Sequence, residues 1–93
     1  MGTVRKRIVE LIEQLPRTAI ELSQLAGIKE KEVYKHLPHV EKTVKARGNR
    51  LKTIPYRCRA CGFTFKDRKH FHPPSRCPLC KDERISEAVF EIE

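Results

Sequence analysis

Four cysteines constrain this chain more than any other feature. They are the only ones in 93 residues, and they fall as two Cys-x-x-Cys pairs, Cys58/Cys61 and Cys77/Cys80. Fifteen residues separate the pairs, inside the spacing of a four-thiolate zinc site. A Cys-x-x-Cys turn presents two sulfurs on one side, and two such turns facing each other complete a tetrahedron around a d¹⁰ ion. Gly62 follows the first pair directly, where a turn wrapping back on a metal often needs positive φ. Pro78 sits inside the second pair and stiffens its loop. The competing readings are two disulfides or four unrelated thiols. Disulfides need an oxidising compartment, and Arg5, Lys6 and Arg7 precede an amphipathic stretch, which does not read as an export signal. The expectation is a cytoplasmic protein with reduced thiols and a structural zinc ion, and iron fits the same tetrahedron.

A chain this short buries limited apolar surface, so a metal staple answers a structural need. No apolar run approaches membrane-spanning length, so no membrane partner is expected.

Upstream of the cysteines the apolar pattern is helical. Val4, Ile8, Leu11, Ile12 and Leu15 recur at helical spacing over Thr3 to Leu15, and Pro16 ends the run. Thr18-Ala19-Ile20-Glu21 reads as a capping box opening a second helix to Ala26, with Ile20, Leu22 and Leu25 as its apolar contacts and Gly27 as its stop. A third helix follows, burying Val33, His36, Leu37 and Val40 and leaving Lys29, Lys31, Tyr34, Lys35 and His39 towards water. Pro38 removes the hydrogen bond to the Tyr34 carbonyl, so a kink or a fresh helical turn, running to about residue 46, is expected there. Gly48-Asn49 signals a turn. Leu51 to Cys58 then reads as a strand with Ile54 and Tyr56 on one face, Phe63 to Phe65 as a second, and Lys66 to Arg76 as a basic loop. From Arg84 to Ile92, Ala88, Phe90 and Ile92 alternate with glutamates, the pattern of a half-buried closing strand.

Helix, glycine turn, helix is the layout of a helix-turn-helix unit. The fold expected is therefore α+β: a winged helix-turn-helix with a zinc ribbon inserted in the wing hairpin. Residues 1–55 form the helical core and first wing strand, 56–83 the ribbon, and 84–93 the closing strand.

The whole chain resembles the predicted archaeal transcriptional regulators in which a helix-turn-helix is fused to a zinc ribbon with rubredoxin-like knuckles. The resemblance rests most on Val33-Tyr34-Lys35-His36-Leu37, Lys45-Ala46-Arg47-Gly48, Tyr56-Arg57-Cys58-Arg59-Ala60-Cys61-Gly62-Phe63-Thr64-Phe65 and Pro74-Ser75-Arg76-Cys77-Pro78-Leu79-Cys80. It implies a DNA-associated regulatory role and four cysteine ligands.

Charge points to the same class of partner. The formal net charge is +8, and it is unevenly spread. Residues 29–54 carry eight basic and three acidic groups and residues 55–81 seven and one, whereas residues 82–93 carry one and five. An excess so localised favours a polyanion over a generally solvated surface. On a DNA-binding reading Lys29, Lys31, Tyr34 and Lys35 face the groove. Lys42, Lys45, Arg47, Arg50 and Lys52 contact phosphates from the base of the wing, and Arg57, Arg59, Arg68, Lys69 and Arg76 do so around the ribbon. Glu30 and Glu32, on the first turn of the third helix, oppose that approach. A second reading is a ribbon that docks a protein through Phe63, Phe65, Phe71 and Leu79. A third, a rubredoxin-like iron carrier, follows from the knuckles alone. No triad, carboxylate pair or phosphate loop is present, and four thiolates leave no coordination position for a reacting water. His70 and His72 are loop histidines beside a site already filled. No catalysis and no small-molecule substrate are expected.

Overall fold

Helix α1 (Gly2–Gln14) opens the chain and places Ile8, Val9, Leu11 and Ile12 in the core. Leu15 lies past its end and is 50% exposed, so the helical stripe stops one residue short of the expected limit. The computed structural model describes residues 2–66 and 71–93. After α1 come strand β1 (Arg17–Thr18) and helices α2 (Ala19–Ala26) and α3 (Glu30–Ala46). Strands β2 (Leu51–Ile54), β3 (Arg57–Cys58), β4 (Ile85–Ser86) and β5 (Val89–Ile92) complete the order.

Local chemistry sets the helix ends. The capping box at α2 is present, with the Glu21 amide donating to Thr18 Oγ1 at 3.2 Å and the Thr18 amide to Glu21 Oε1 at 3.0 Å. Arg17 Nε donates to the Leu11 carbonyl at 2.9 Å, satisfying one of the orphan acceptors at the end of α1. Of the three apolar residues expected to pack from α2, only Leu22 is buried, while Ile20 and Leu25 are 40% and 46% exposed. Helix α3 runs unbroken through Pro38. Its buried stripe is Val33, Leu37, Val40 and Val44, and His36 sits at the margin of that stripe rather than within it. Both first-turn glutamates complement the positive end of the α3 dipole.

The sheet is antiparallel, in the order β1-β5-β2. The closing strand pairs with β2 as expected, Leu51 opposite Ile92 and Ile54 opposite Val89. It also pairs with β1, Arg17 opposite Phe90 and Thr18 opposite Val89, a contact the sequence did not reveal. Further out, β3 pairs with β4, Arg57 opposite Ser86 and Cys58 opposite Ile85. That register continues the β2–β5 register, so one long hairpin runs outward to the cysteines with an interruption at Pro55 and Tyr56. Pro55 has no N–H to give the ladder, which is a sufficient physical reason for the break. Across it Ile54 and Tyr56 part company: Ile54 is 44% exposed and Tyr56 is buried. The expected strand over Phe63–Phe65 reduces to a single bridge between Thr64 and Arg57.

One apolar cluster joins the two halves. Residues from all three helices share it with Leu51, Tyr56, Phe65, Ala88 and Phe90. Phe90 is fully buried, with its ring edge-on to Phe71 at 5.9 Å. Truncating such a residue costs about 3–5 kcal/mol, so β5 is the strand on which helices and ribbon both depend.

Candidate metal centre

The two knuckles are built alike. In the first, the Gly62 amide donates to the Cys58 carbonyl at 3.0 Å and the Cys58 amide to the Phe63 carbonyl at 2.8 Å. In the second, the Lys81 amide donates to Cys77 O at 3.0 Å and the Cys77 amide to Asp82 O at 2.9 Å. Each turn closes through a left-handed residue, Gly62 at φ 82 and Lys81 at φ 66. Each pair also puts one cysteine inside and one outside: Cys58 and Cys77 are buried, Cys61 and Cys80 exposed.

The four sulfurs converge across the knuckles. Cys58 Sγ lies 3.5 Å from Cys80 Sγ, Cys61 Sγ lies 3.5 Å from Cys77 Sγ, and all four are within 4.8 Å of one another. A tetrahedron of Zn–S bonds near 2.3 Å puts its sulfurs about 3.8 Å apart. The thiols are free, not bridged, and the donor set fits zinc. Among the described residues the ligand group consists of these four cysteines alone.

Backbone amides prepare the sulfurs for negative charge. Leu79 N–H points at Cys77 Sγ from 3.4 Å. The amides of Cys61 and then Ala60 hold the Cys58 thiol down at about 7, against the opposing effect of desolvation. At Cys61 the Phe63 amide pulls the same way, but the neighbouring Cys77 sulfur and desolvation outweigh it and push that thiol up to about 12. Crowded sulfurs cannot all ionise side by side, and a bound divalent cation removes that conflict.

The candidate DNA-contacting residues divide into three groups. Lys31, Lys35, Lys42 and Lys45 are exposed along the side of α3 opposite its buried stripe, and Lys29 is exposed at its N-cap. Arg57, Arg59 and Arg76 are exposed around the knuckles. At the base of the hairpin the basic side chains are already engaged. Arg47 pairs with Glu13 at 3.4 Å, Arg50 with Glu93 at 2.6 Å, and Lys52 with Glu91 at 3.7 Å and Glu93 at 3.3 Å. Arg68, Lys69 and His70 lie outside the described residues.

Tyr34 departs from expectation. It is half-buried against the core instead of facing water, and its hydroxyl is enclosed. Burial, reinforced by the neighbouring Tyr56, pushes its phenol well above the usual range. Tyr56 donates its hydroxyl to the Phe71 carbonyl at 2.6 Å, so the two tyrosines join α3 to the segment entering the ribbon. Glu30, one of the acidic residues set against groove binding, is only partly exposed and acts on Tyr34 and Glu87. The apolar docking patch also shrinks. Phe65 is buried, Phe63 and Phe71 pack against the core, and Leu79 alone of the four is widely exposed, at 69%.

No curated protein matches the chain. Residues 3–52 match the family model described as PF0610-like, N-terminal, and residues 55–93 match the PF0610 rubredoxin-like zinc beta-ribbon domain. The solution NMR structure of protein PF0610 from Pyrococcus furiosus is similar at 35% identity and a TM-score of 0.83, over 99% of this chain and 90% of that one. Two matched models that together span almost the whole chain, and four sulfurs converging where the second requires them, place this protein in the PF0610-like family, with a four-cysteine zinc ribbon as its metal-binding part.

Proposed function

We propose that the protein is a winged helix-turn-helix that binds duplex DNA and acts on transcription, with the zinc ribbon as a structural element of its wing. The element order supports the winged reading. Two helices joined by a glycine turn are followed by a hairpin, and the returning strand of that hairpin, β5, also pairs with the short β1 that precedes the turn. In this reading α3 is the helix presented to the duplex.

The observation that carries the proposal is the basic outer face of α3. Lys31, Lys35, Lys42 and Lys45 are all exposed on one side, and none of them forms an ion pair among the described residues. Any surface helix turns its charges away from its buried stripe. What favours phosphate here is that the four cations along the middle of that face share one sign and are unpaired among the described residues. The metal's part is to hold the tip of the hairpin, since four protein ligands leave no open position for chemistry. The protein acts without catalysis.

Titration of labelled duplex with zinc-loaded protein tests this. Affinity should fall steeply between 50 and 200 mM salt, as several released counterions require. A complex indifferent to salt, or none at low salt, would falsify the reading.

A second reading, a protein-docking ribbon, has one observation in its favour: Leu79 stands 69% exposed beside a groove walled by Phe63, Pro73, Pro74 and Pro78. A partner retained after nuclease treatment and lost with Leu79→Asp would favour it. The iron-carrier reading is separated by colour, because ferric thiolate absorbs in the visible and zinc does not.

A further inference from the structure

We infer that α3 meets duplex DNA as a bridge laid from one phosphate strand to the other, and that this contact carries almost no base-sequence information. The inference rests on the DNA-binding reading above and adds what the helix recognises.

The lysines of α3 come as two couples rather than an even row. Lys31 and Lys35 lie towards the amino end, Lys42 and Lys45 towards the carboxyl end. At 1.5 Å per residue the centres of the couples are about 16 Å apart along the helix axis. That exceeds the roughly 12 Å width of the major groove. A helix lying across the groove therefore brings one couple over each flanking backbone.

Between the couples the exposed side chains are Pro38, His39 and Glu41. Pro38 lies on the line of the lysines, with His39 and Glu41 about 80° round the helix to either side. The proline side chain offers no donor or acceptor to a base edge. Base reading relies mainly on Arg or Lys at guanine and Asn or Gln at adenine. Helix α3 contains no Arg, Asn or Gln, and its four exposed lysines are committed to the flanks. Tyr34, the one tyrosine of the helix, packs against the core with its hydroxyl enclosed and does not reach a base. What remains is a charge pattern matched to the separation of two phosphate strands, the kind of contact that positions a protein without specifying a site.

The test uses the zinc-loaded full chain and three proteins: wild type, Lys31→Gln/Lys35→Gln, and Lys42→Gln/Lys45→Gln. All four positions are exposed, so the variants should keep the wild-type circular dichroism. Each double variant should reduce the slope of log affinity against log salt by about 1.8, at 0.9 per phosphate contact. Unrelated duplexes should bind wild type within about threefold of one another, where a site-reading protein separates them by a thousandfold or more. If one couple accounts for the whole loss of slope, the bridge is wrong. A motif enriched more than tenfold from random duplexes overturns the sequence-independence and leaves the DNA-binding reading standing. If no duplex binds wild type even at low salt, both readings fail together.

Discussion

Lys81 repeats in the second knuckle the backbone role that Gly62 plays in the first. Both residues follow the second cysteine of a pair, both donate to the carbonyl of the first cysteine at 3.0 Å, and both are left-handed. Only one of them is suited to it. An L-residue in that conformation costs about 1–2 kcal/mol, of which glycine's extra chain entropy would return part. Lys81→Gly should therefore stabilise the zinc-loaded protein by about 0.5–1 kcal/mol in chemical denaturation. Gly62→Ala should do the reverse by about 1–2 kcal/mol. Open space is not the issue at Gly62, since a Cβ there would meet only the Arg57 guanidinium at 3.4 Å. The penalty lies in the backbone.

The enclosed phenol of Tyr34 gives a pH dependence with a definite sign. Burial raises its pKa above the unfolded value near 10. Between those two values the folded chain keeps a proton that the unfolded chain has released, so stability falls as pH rises above about 10. Below that point the contribution is constant. Alkaline unfolding followed at 222 nm should show Tyr34→Phe losing less stability than wild type above pH 10. Equal slopes for the two proteins would mean that the hydroxyl reaches water.

Metal removal should separate the halves of the shared core. Tyr56 lies two residues before Cys58 and holds the Phe71 carbonyl, so loosening the knuckles frees it and then the Tyr34 contact. Chelation, or Cys58→Ser, should abolish the near-ultraviolet tyrosine signal while most helical ellipticity persists, because α1, α2 and α3 still bury one another. Simultaneous loss of both signals would show that the helices need the metal as much as the ribbon does.

The ion pairs at the base of the hairpin predict a gain of function. Glu91 and Glu93 occupy Lys52, and Glu93 also occupies Arg50, which holds the Glu93 carboxyl below its ordinary range. Glu91→Gln with Glu93→Gln should release two cations for phosphate contact. Duplex affinity should rise roughly twofold to fivefold at low salt, for about 0.5–1 kcal/mol in total, the scale of exposed charge contacts. An unchanged affinity would place this edge of the sheet away from the nucleic acid.

Periodic and paired signals in the chain were legible in advance. The three helices, the capping box at Thr18 and Glu21, the pairing of β2 with β5 and the cysteine cluster all follow from patterns that extend over many residues or demand particular chemistry. What escaped notice is short or depends on tertiary context. Strand β1 is two residues long, too few to show alternation, and exists because β5 has a second edge to fill. Phe63 to Phe65 alternates like a strand, but its apolar rings serve the core and the ladder closes at one bridge only. Tyr34 is amphipathic, and helical spacing alone cannot say whether its ring or its hydroxyl sets its direction. Tyr56, arriving just past Pro55, draws it inward.

Because β5 is the middle strand of the sheet and carries Phe90, the order of synthesis matters for this chain. The helices leave the ribosome first, yet the slot between them stays unfilled until some forty further residues have been added. Through that interval the nascent bundle has apolar side chains with nothing to cover them, a state open to chaperones or to wrong partners. Ring closure of the domain is thus a late event, delayed until the ribbon has been made and the chain has doubled back.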